Sequence, residues 1–420
     1  MKICLLTMEW PPHGCGIGTY MYNLARGLVM FGHQVTVITH EHNPVQLQGV
    51  TIVSVADSKS TWHLFDKIKR KANWLFRGIV HPWFWQAYQV FKKINESDPF
   101  DIIETADFGA WGWHFVNNGK VPFVVRCHTP SHVLHAIRHS NHRNWPMSSL
   151  CKKQDHLERM QTVQADGIVA PSEALAYHLS LNWVIPLNRF VVIPNMIDAD
   201  LFCPAEACGN KNEILYVGRF DLFKGIYDLT HALIPILENY PTVNVRFVGI
   251  DSPVAECYRG LGKKASHAIL GLILHKHHNR ITFNAPVPVS EIVKFQQRAL
   301  CAVMPTRGFE SFSYTVLEPM ACGIPVIATR CGGPSEIITN GIDGLLVPPG
   351  MPEALTAAIK RLLDDPCLRD RLANNARKIV EERYAFPVVI PKITEWYENI
   401  IREYKQQNGG LVDATAGERG

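Results

Sequence analysis

Two glutamates, Glu310 and Glu318, stand in the stretch Pro305-Thr306-Arg307-Gly308-Phe309-Glu310-Ser311-Phe312-Ser313-Tyr314-Thr315-Val316-Leu317-Glu318-Pro319-Met320-Ala321-Cys322-Gly323. Paired carboxylates raise the question of acid and nucleophile work. A retaining glycosidase pair lies about 5 to 5.5 Å apart, whereas eight residues of helix at 1.5 Å rise would separate these two by about 12 Å. The sequence also places Glu310 in a loop and Glu318 inside the helix that follows. They read as two separate hydrogen-bond acceptors that grasp hydroxyls at different points along one elongated ligand, the alternative being ordinary surface carboxylates. Backbone amides of Phe312, Ser313, Tyr314 and Thr315, at the start of that helix, suit a phosphate.

Arg219 and Lys224 follow the apolar run Ile214-Leu215-Tyr216-Val217. An arginine fork and a lysine point charge are what a diphosphate needs, and surface solvation is the alternative. Near the start, Glu9-Trp10-Pro11-Pro12-His13-Gly14-Cys15-Gly16-Ile17-Gly18-Thr19 leads from a strand into a helical pattern over residues 20–32. Glycines there let a backbone approach a phosphate, but Gly14, Gly16 and Gly18 do not spell GxGxxG. A nicotinamide site would want an acid ending the next strand, and only Glu41 is near.

These loops need elements to carry them. Short apolar or β-branched runs alternate with helical patterns: 2–7, 34–39, 50–55, 101–104, 123–127, 167–170 and 190–193, then 214–217, 245–248, 281–284, 302–304, 325–328 and 345–347. That alternation predicts βαβ units, parallel sheets and an α/β fold in two similar halves. Ligands of such sheets bind outside the carboxyl ends of the strands, where the residues above stand. Pro204, Gly209 and several small residues place the boundary near 205, and Gln407 onward reads as a frayed tail.

The chain has 420 residues, and 42 Lys and Arg against 38 Asp and Glu give a net charge of +4, too slight a bias to argue for nucleic acid. The 11 cysteines include no CxxC pair, and Cys4, Cys301 and Cys322 sit in apolar or helical runs, as expected of a cytoplasmic, reducing compartment. No apolar run reaches the ~18 to 20 residues of a membrane span, and Met1 to Thr7 reads as a first strand rather than a signal peptide.

Taken in order, the segments resemble the retaining GT-B glycosyltransferases of family 4, which use nucleotide sugars. Pro12-His13-Gly14-Cys15-Gly16-Ile17, Gly32-His33-Gln34-Val35, Val169-Ala170-Pro171-Ser172-Glu173, Val192-Ile193-Pro194-Asn195, Gly218-Arg219 with Lys224-Gly225, the Glu310 to Glu318 spacing and Ala321-Cys322-Gly323-Ile324-Pro325 through Gly332-Gly333 all match. The resemblance spans nearly the whole chain. It implies two Rossmann-like domains facing each other across a cleft: an acceptor domain at 1–205, a donor domain at 206–387, a helix at 388–406 packing back on the first domain, and a disordered tail at 407–420.

The resemblance further implies that Gly16 lies against the donor phosphates, that Arg219 and Lys224 bind the diphosphate, and that Glu318 holds the ribose hydroxyls. Glu310 would contact the transferred sugar, with His128 under that sugar from the N-terminal domain. Cys15, Met196 and Ser313 replace glycines usual in the family; a positive φ at Cys15 or Met196 would cost on the order of 1 kcal/mol. The implied reaction is transfer with retention, the leaving phosphate taking the acceptor's proton, and no metal or other cofactor is expected. The alternative is a catalytically silent nucleotide-sugar-binding scaffold of the same fold. A phosphorylase lacks an assignable cofactor lysine.

The acceptor, whether a glycan, a lipid-linked sugar or a small molecule, is not specified. Residues 59–93 interleave lysines and arginines with aromatics, which suits either an anionic membrane surface or a helix with core aromatics and solvated lysines. Residues 131–160 read as a mobile insertion on the acceptor side. No RNA-binding motif is present, and no nucleic-acid partner is expected.

Overall fold

The computed structural model describes residues 1–12, 16–55, 82–116, 120–138, 147–206, 212–251 and 264–416. The chain divides into two units: Met1–Ala136 with Asn144–Met196 and Val389–Gly420, and Ile197–Val388 with Ile137–Arg143.

The first unit holds a sheet of seven parallel strands in the order β3-β2-β1-β4-β5-β6-β7. These are β1 (Lys2–Thr7), β2 (Gln34–Thr39), β3 (Val50–Ser54), β4 (Ile102–Ala106), β5 (Phe123–Arg126), β6 (Gly167–Ala170) and β7 (Phe190–Val192). Helices α1 (Gly16–Met30), α2 (Pro82–Ser97), α3 (Ser131–Arg138), α4 (Ser149–Val163) and α5 (Glu173–Trp183) connect them. Ile3, Cys4, Leu5 and Leu6 are fully buried, because a central parallel strand is covered on both faces and must be apolar throughout.

The second unit repeats the plan with six strands in the order β10-β9-β8-β11-β12-β13: β8 (Glu213–Val217), β9 (Asn244–Val248), β10 (Ile281–Asn284), β11 (Ala299–Met304), β12 (Val326–Thr329) and β13 (Leu345–Val347). Its helices are α6 (Ile226–Asn239), α7 (Ala265–Leu272), α8 (Val289–Arg298), α9 (Tyr314–Ala321), α10 (Pro334–Ile337), α11 (Pro352–Asp364) and α12 (Pro366–Arg383). The last helix, α13 (Phe386–Ala416), begins at the end of this unit and belongs to the first from Val389 onward. In both sheets the strand order reverses beside the first strand, between β1 and β4 and between β8 and β11. Loops leaving those strands therefore diverge and open a crevice at the carboxyl ends.

The structure draws four expectations more finely. By its contacts the chain divides between Met196 and Ile197, a little before 205, and the Ile197 amide bonds to the Tyr384 carbonyl at 2.9 Å within the second unit. The backbone of 407–416 is helical and continues α13, and 417–420 lie outside the described residues. The described parts of 131–160 hold α3 and most of α4, and the face of α4 carrying Leu157, Glu158 and Gln161 is buried, while 139–146 lie outside the described residues. The first helix starts at Gly16, not Tyr20.

Of the aromatic and basic stretch, 59–81 lies outside the described residues. In its remainder, on α2, Phe84 and Phe91 are buried, Lys92 and Lys93 are exposed, and Trp85 is 42% exposed. That is the pattern of a helix with core aromatics and solvated lysines. Among the described residues no helix is long and apolar enough to cross a membrane.

Candidate functional site

In the second unit the crevice is built by two loops. The first leaves β8: the Asp221 carboxylate accepts from the Lys224 amide at 2.8 Å, while its other oxygen lies 3.2 Å from Arg219 Nε. Arg219 is exposed, and its carbonyl accepts from the Tyr216 hydroxyl at 2.7 Å. The loop closes at Gly225, whose φ of +71° starts α6 from a left-handed residue. The second loop leaves β11. Arg307 returns its amide to the Phe223 carbonyl at 2.8 Å, and its guanidinium forks onto Asp228 at 2.6 and 2.5 Å. Bidentate pairing of this kind fixes direction as well as distance.

These links bring Lys224 and Glu310 together, Nζ to Oε2 at 2.6 Å, with both side chains largely buried. Glu310 is held from behind, where its carbonyl accepts from the Gly333 amide at 2.8 Å. Glu318 lies apart on α9, half-buried, and its Oε2 accepts from Gln296 Nε2 at 3.2 Å. Burial pushes its carboxyl up to about 7, opposed by the Gln296 bond. Glu310 thus sits in the loop and Glu318 in the helix, as the sequence predicts.

Phe312 and Ser313 are buried at the start of α9. Ser313 occupies the cap position, but its hydroxyl makes no cap bond and lies 3.1 Å from Thr315 Oγ1. The first-turn amides, including those of Tyr314 and Thr315, point out of the positive end of the helix, where an anion is favoured.

In the first unit Gly16 opens α1 and is exposed; a Cβ on it would meet nothing within 4 Å among the described residues, so none of them requires glycine there. Glu9 occupies part of this helix start, its Oε2 lying 3.3 Å from the Gly18 amide. Of the three departures from the family's glycines, Cys15 lies outside the described residues, while Met196 and Ser313 have negative φ and carry no strain. His128 is buried past the end of β5, edge-on to Tyr20 with ring centres 5.4 Å apart. Burial and the Arg126 charge hold its imidazole down to about 3, so it is neutral. Among the described residues its Nε2 has no hydrogen-bond partner.

Sequence reasoning missed the residues behind these groups. Asp107, just past β4, accepts from the His128 amide at 2.8 Å, and burial together with the Glu158 charge pushes its carboxyl up to about 8. Glu158 joins the loops after β4 and β5, taking the Gly109 amide at 2.9 Å and the Ser131 amide at 2.9 Å. The strand-end rule that drew attention to His128 applies equally to Asp107, whereas Gln296 and Glu158 lie inside helices and give no such signal. Among the described residues no group of three or more His, Cys, Asp or Glu could hold a metal ion.

Family comparisons cover both units. The Glycosyltransferase Family 4 model matches residues 14–201, and the Glycosyl transferases group 1 model matches 204–379. A glycosyltransferase of Methanocaldococcus jannaschii is 26% identical over 431 residues, covering 95% of this chain and 98% of its own. The solved sucrose-phosphate synthase of Thermosynechococcus elongatus superposes with a TM-score of 0.72 at 20% identity, covering 96% of this chain and 99% of its own. Anabaena HepE, solved in complex with UDP-glucose, gives 0.68 at 18% identity over 95% of this chain and 100% of its own. The two family models lie end to end over the two parallel-sheet units, and the chain belongs to the family 4 glycosyltransferases of the GT-B fold.

Proposed function

We propose that this glycosyltransferase takes its sugar from a nucleoside diphosphate donor held by the second unit, transfers it to an acceptor hydroxyl with retention of configuration, and needs no metal. The Lys224–Glu310 pair carries the reading. In the resting chain each cation of the loop already faces a carboxylate, Arg219 facing Asp221 and Lys224 facing Glu310. An arriving diphosphate competes for Lys224 and exposed Arg219, and leaves the Glu310 carboxylate in need of a new donor. A hydroxyl of the transferred sugar supplies one. Phosphate binding and sugar orientation are then a single exchange of partners.

The remaining parts follow. Glu318 takes the ribose hydroxyls, and the amides from Phe312 to Thr315 face the diphosphate, whose growing negative charge they and the two cations stabilise as the bond to the sugar breaks. The acceptor's proton passes to the leaving phosphate oxygen, on the face from which the acceptor attacks. In the first unit Gly16 keeps space for the donor phosphates, and neutral His128 offers the sugar a hydrogen-bonding nitrogen. The UDP-glucose complex of HepE supports a nucleotide sugar as donor. The acceptor is a glycan, a lipid-linked sugar or a small molecule. Incubation with UDP-, ADP- and GDP-sugars and a panel of sugar and polyol acceptors in EDTA, followed by NMR of the new anomeric centre, tests the reading. Diphosphate release with a retained anomer is expected; an inverted product, or activity restored only by a divalent ion, would overturn it.

A further inference from the structure

Glu318 holds its two carboxylate oxygens differently. Oε2 receives the Gln296 amide, while Oε1 takes no hydrogen bond among the described residues. Gln296 comes from α8 and is 1% exposed, so its amide cannot turn to water. Its other end is fixed as well: the Cys322 thiol donates to Gln296 Oε1 at 3.4 Å. Cys322 caps the end of α9 one turn after Glu318, four residues on, so the two lie on the same side of the helix. They grip the two ends of the same amide. Reversing that amide would set its oxygen against a carboxylate oxygen and waste the thiol proton, so only one orientation satisfies both neighbours.

We propose that Gln296, oriented by Cys322, is a positioning residue that presents Glu318 Oε1 to the ribose diol of the donor. The inference rests on the reading that Glu318 binds the ribose. Gln296 does not touch the nucleotide. It spends the inner oxygen of the carboxylate, removes the rotations that would bury the outer one, and leaves a single acceptor aimed out of the helix face. Sequence spacing gives no hint of this, because 22 residues separate the amide from the carboxylate.

The test compares binding of UDP, ADP and GDP with that of their 2′,3′-dideoxy counterparts, by calorimetry on the full chain. For whichever nucleotide binds, the natural form should bind the wild type about tenfold or more tightly than the dideoxy form, the size expected for hydrogen bonds to a charged group. Glu318→Ala should erase that ratio by weakening the natural form alone. Gln296→Leu and the shorter Gln296→Asn should also collapse it, and Cys322→Ala should reduce it partially, with dideoxy binding unchanged throughout. A purely structural role for Gln296 predicts equal weakening of both ligands, and that result overturns the proposal. So does an unchanged ratio in whichever Gln296 variant folds while Glu318→Ala erases it. If Glu318→Ala itself leaves the ratio intact, or none of the three nucleotides binds, the ribose reading fails first.

Discussion

A carbon atom placed on Gly225 would stand 1.8 Å from the carbonyl oxygen of Pro305. The loop bearing Lys224 is thus pressed against the loop bearing Glu310 with no room for a side chain between them. Gly225 also has a φ of +71°, which costs an alanine on the order of 1 kcal/mol before any clash. Gly225→Ala should lower stability measurably and weaken donor binding at least tenfold. Gly16→Ala, with open space around it, should leave stability unchanged and act only on donor affinity. Denaturant titration of both variants distinguishes the two sites; equal destabilisation would mean that Gly16 is also a packing glycine.

Breaking the Lys224–Glu310 pair from its two ends should have opposite effects on nucleotide affinity. Lys224→Ala removes a cation from the leaving group, and turnover should fall roughly 100- to 1,000-fold with the fold intact. Glu310→Gln instead frees Lys224 from its carboxylate, so the nucleoside diphosphate should bind as tightly as to wild type or more so, while transfer falls. Near-normal turnover in Lys224→Ala would remove that residue from the site.

Asp107 makes stability depend on pH in a window of its own. Its proton leaves the unfolded chain near 3.8 and the folded one at about 8, so the folded state binds more protons in between and stability falls as pH rises. His128 works the other way: with its value lowered from 6.5 to about 3, it adds stability as pH rises, but only up to 6.5. Glu318, raised from 4.5 to about 7, acts like Asp107 and finishes near neutrality. Between pH 7 and 8 Asp107 carries most of the change, while Glu318 completes its titration. Denaturant melts should show wild type losing on the order of 1 kcal/mol over that unit, and Asp107→Asn should lose less. An equal loss in both would show that Asp107 does not hold its proton at neutral pH.

Buried Glu104 accepts from the hydroxyls of Tyr20 and Tyr397, one on α1 and one on α13. Burial pushes its carboxyl up, opposed by Arg126 and by both hydroxyls. Tyr397→Phe leaves one oxygen without a donor and should cost about 1.5 to 3 kcal/mol. Chemical denaturation of that variant is the check, and a change below about half a kcal/mol would mean that water replaces the hydroxyl.

What was legible in the sequence is what depends on neighbours along the chain. Lys2–Thr7 and 302–304 read as strands because buried parallel strands are largely apolar runs, and the structure extends the second back to Ala299. Glu310 and Glu318 could be assigned to loop and helix from the turn residues between them. The Asp221 partner of Arg219, the Glu9 carboxylate at the start of α1 and the Gln296 support of Glu318 required a tertiary structure, since each is one polar residue among many until the fold selects it. Residues 131–160 misled for a related reason. Their polar composition suggests solvent, yet Glu158 is fully buried and takes the Ser131 amide, as Gln161 and Thr162 just beyond are buried and bonded, which composition does not record.

The path of the chain sets an order of assembly. Residues 197–388 form a body interposed between two parts of the first unit, and Glu104 meets Tyr397 across 293 positions of sequence. During synthesis, β4 leaves the ribosome with its buried acid still lacking the tyrosine that will help to satisfy it. The interposed body has all its own strands before α13 emerges, so it can finish folding while the earlier unit waits. The emergence of α13, which brings Tyr397 to Glu104, ends that wait.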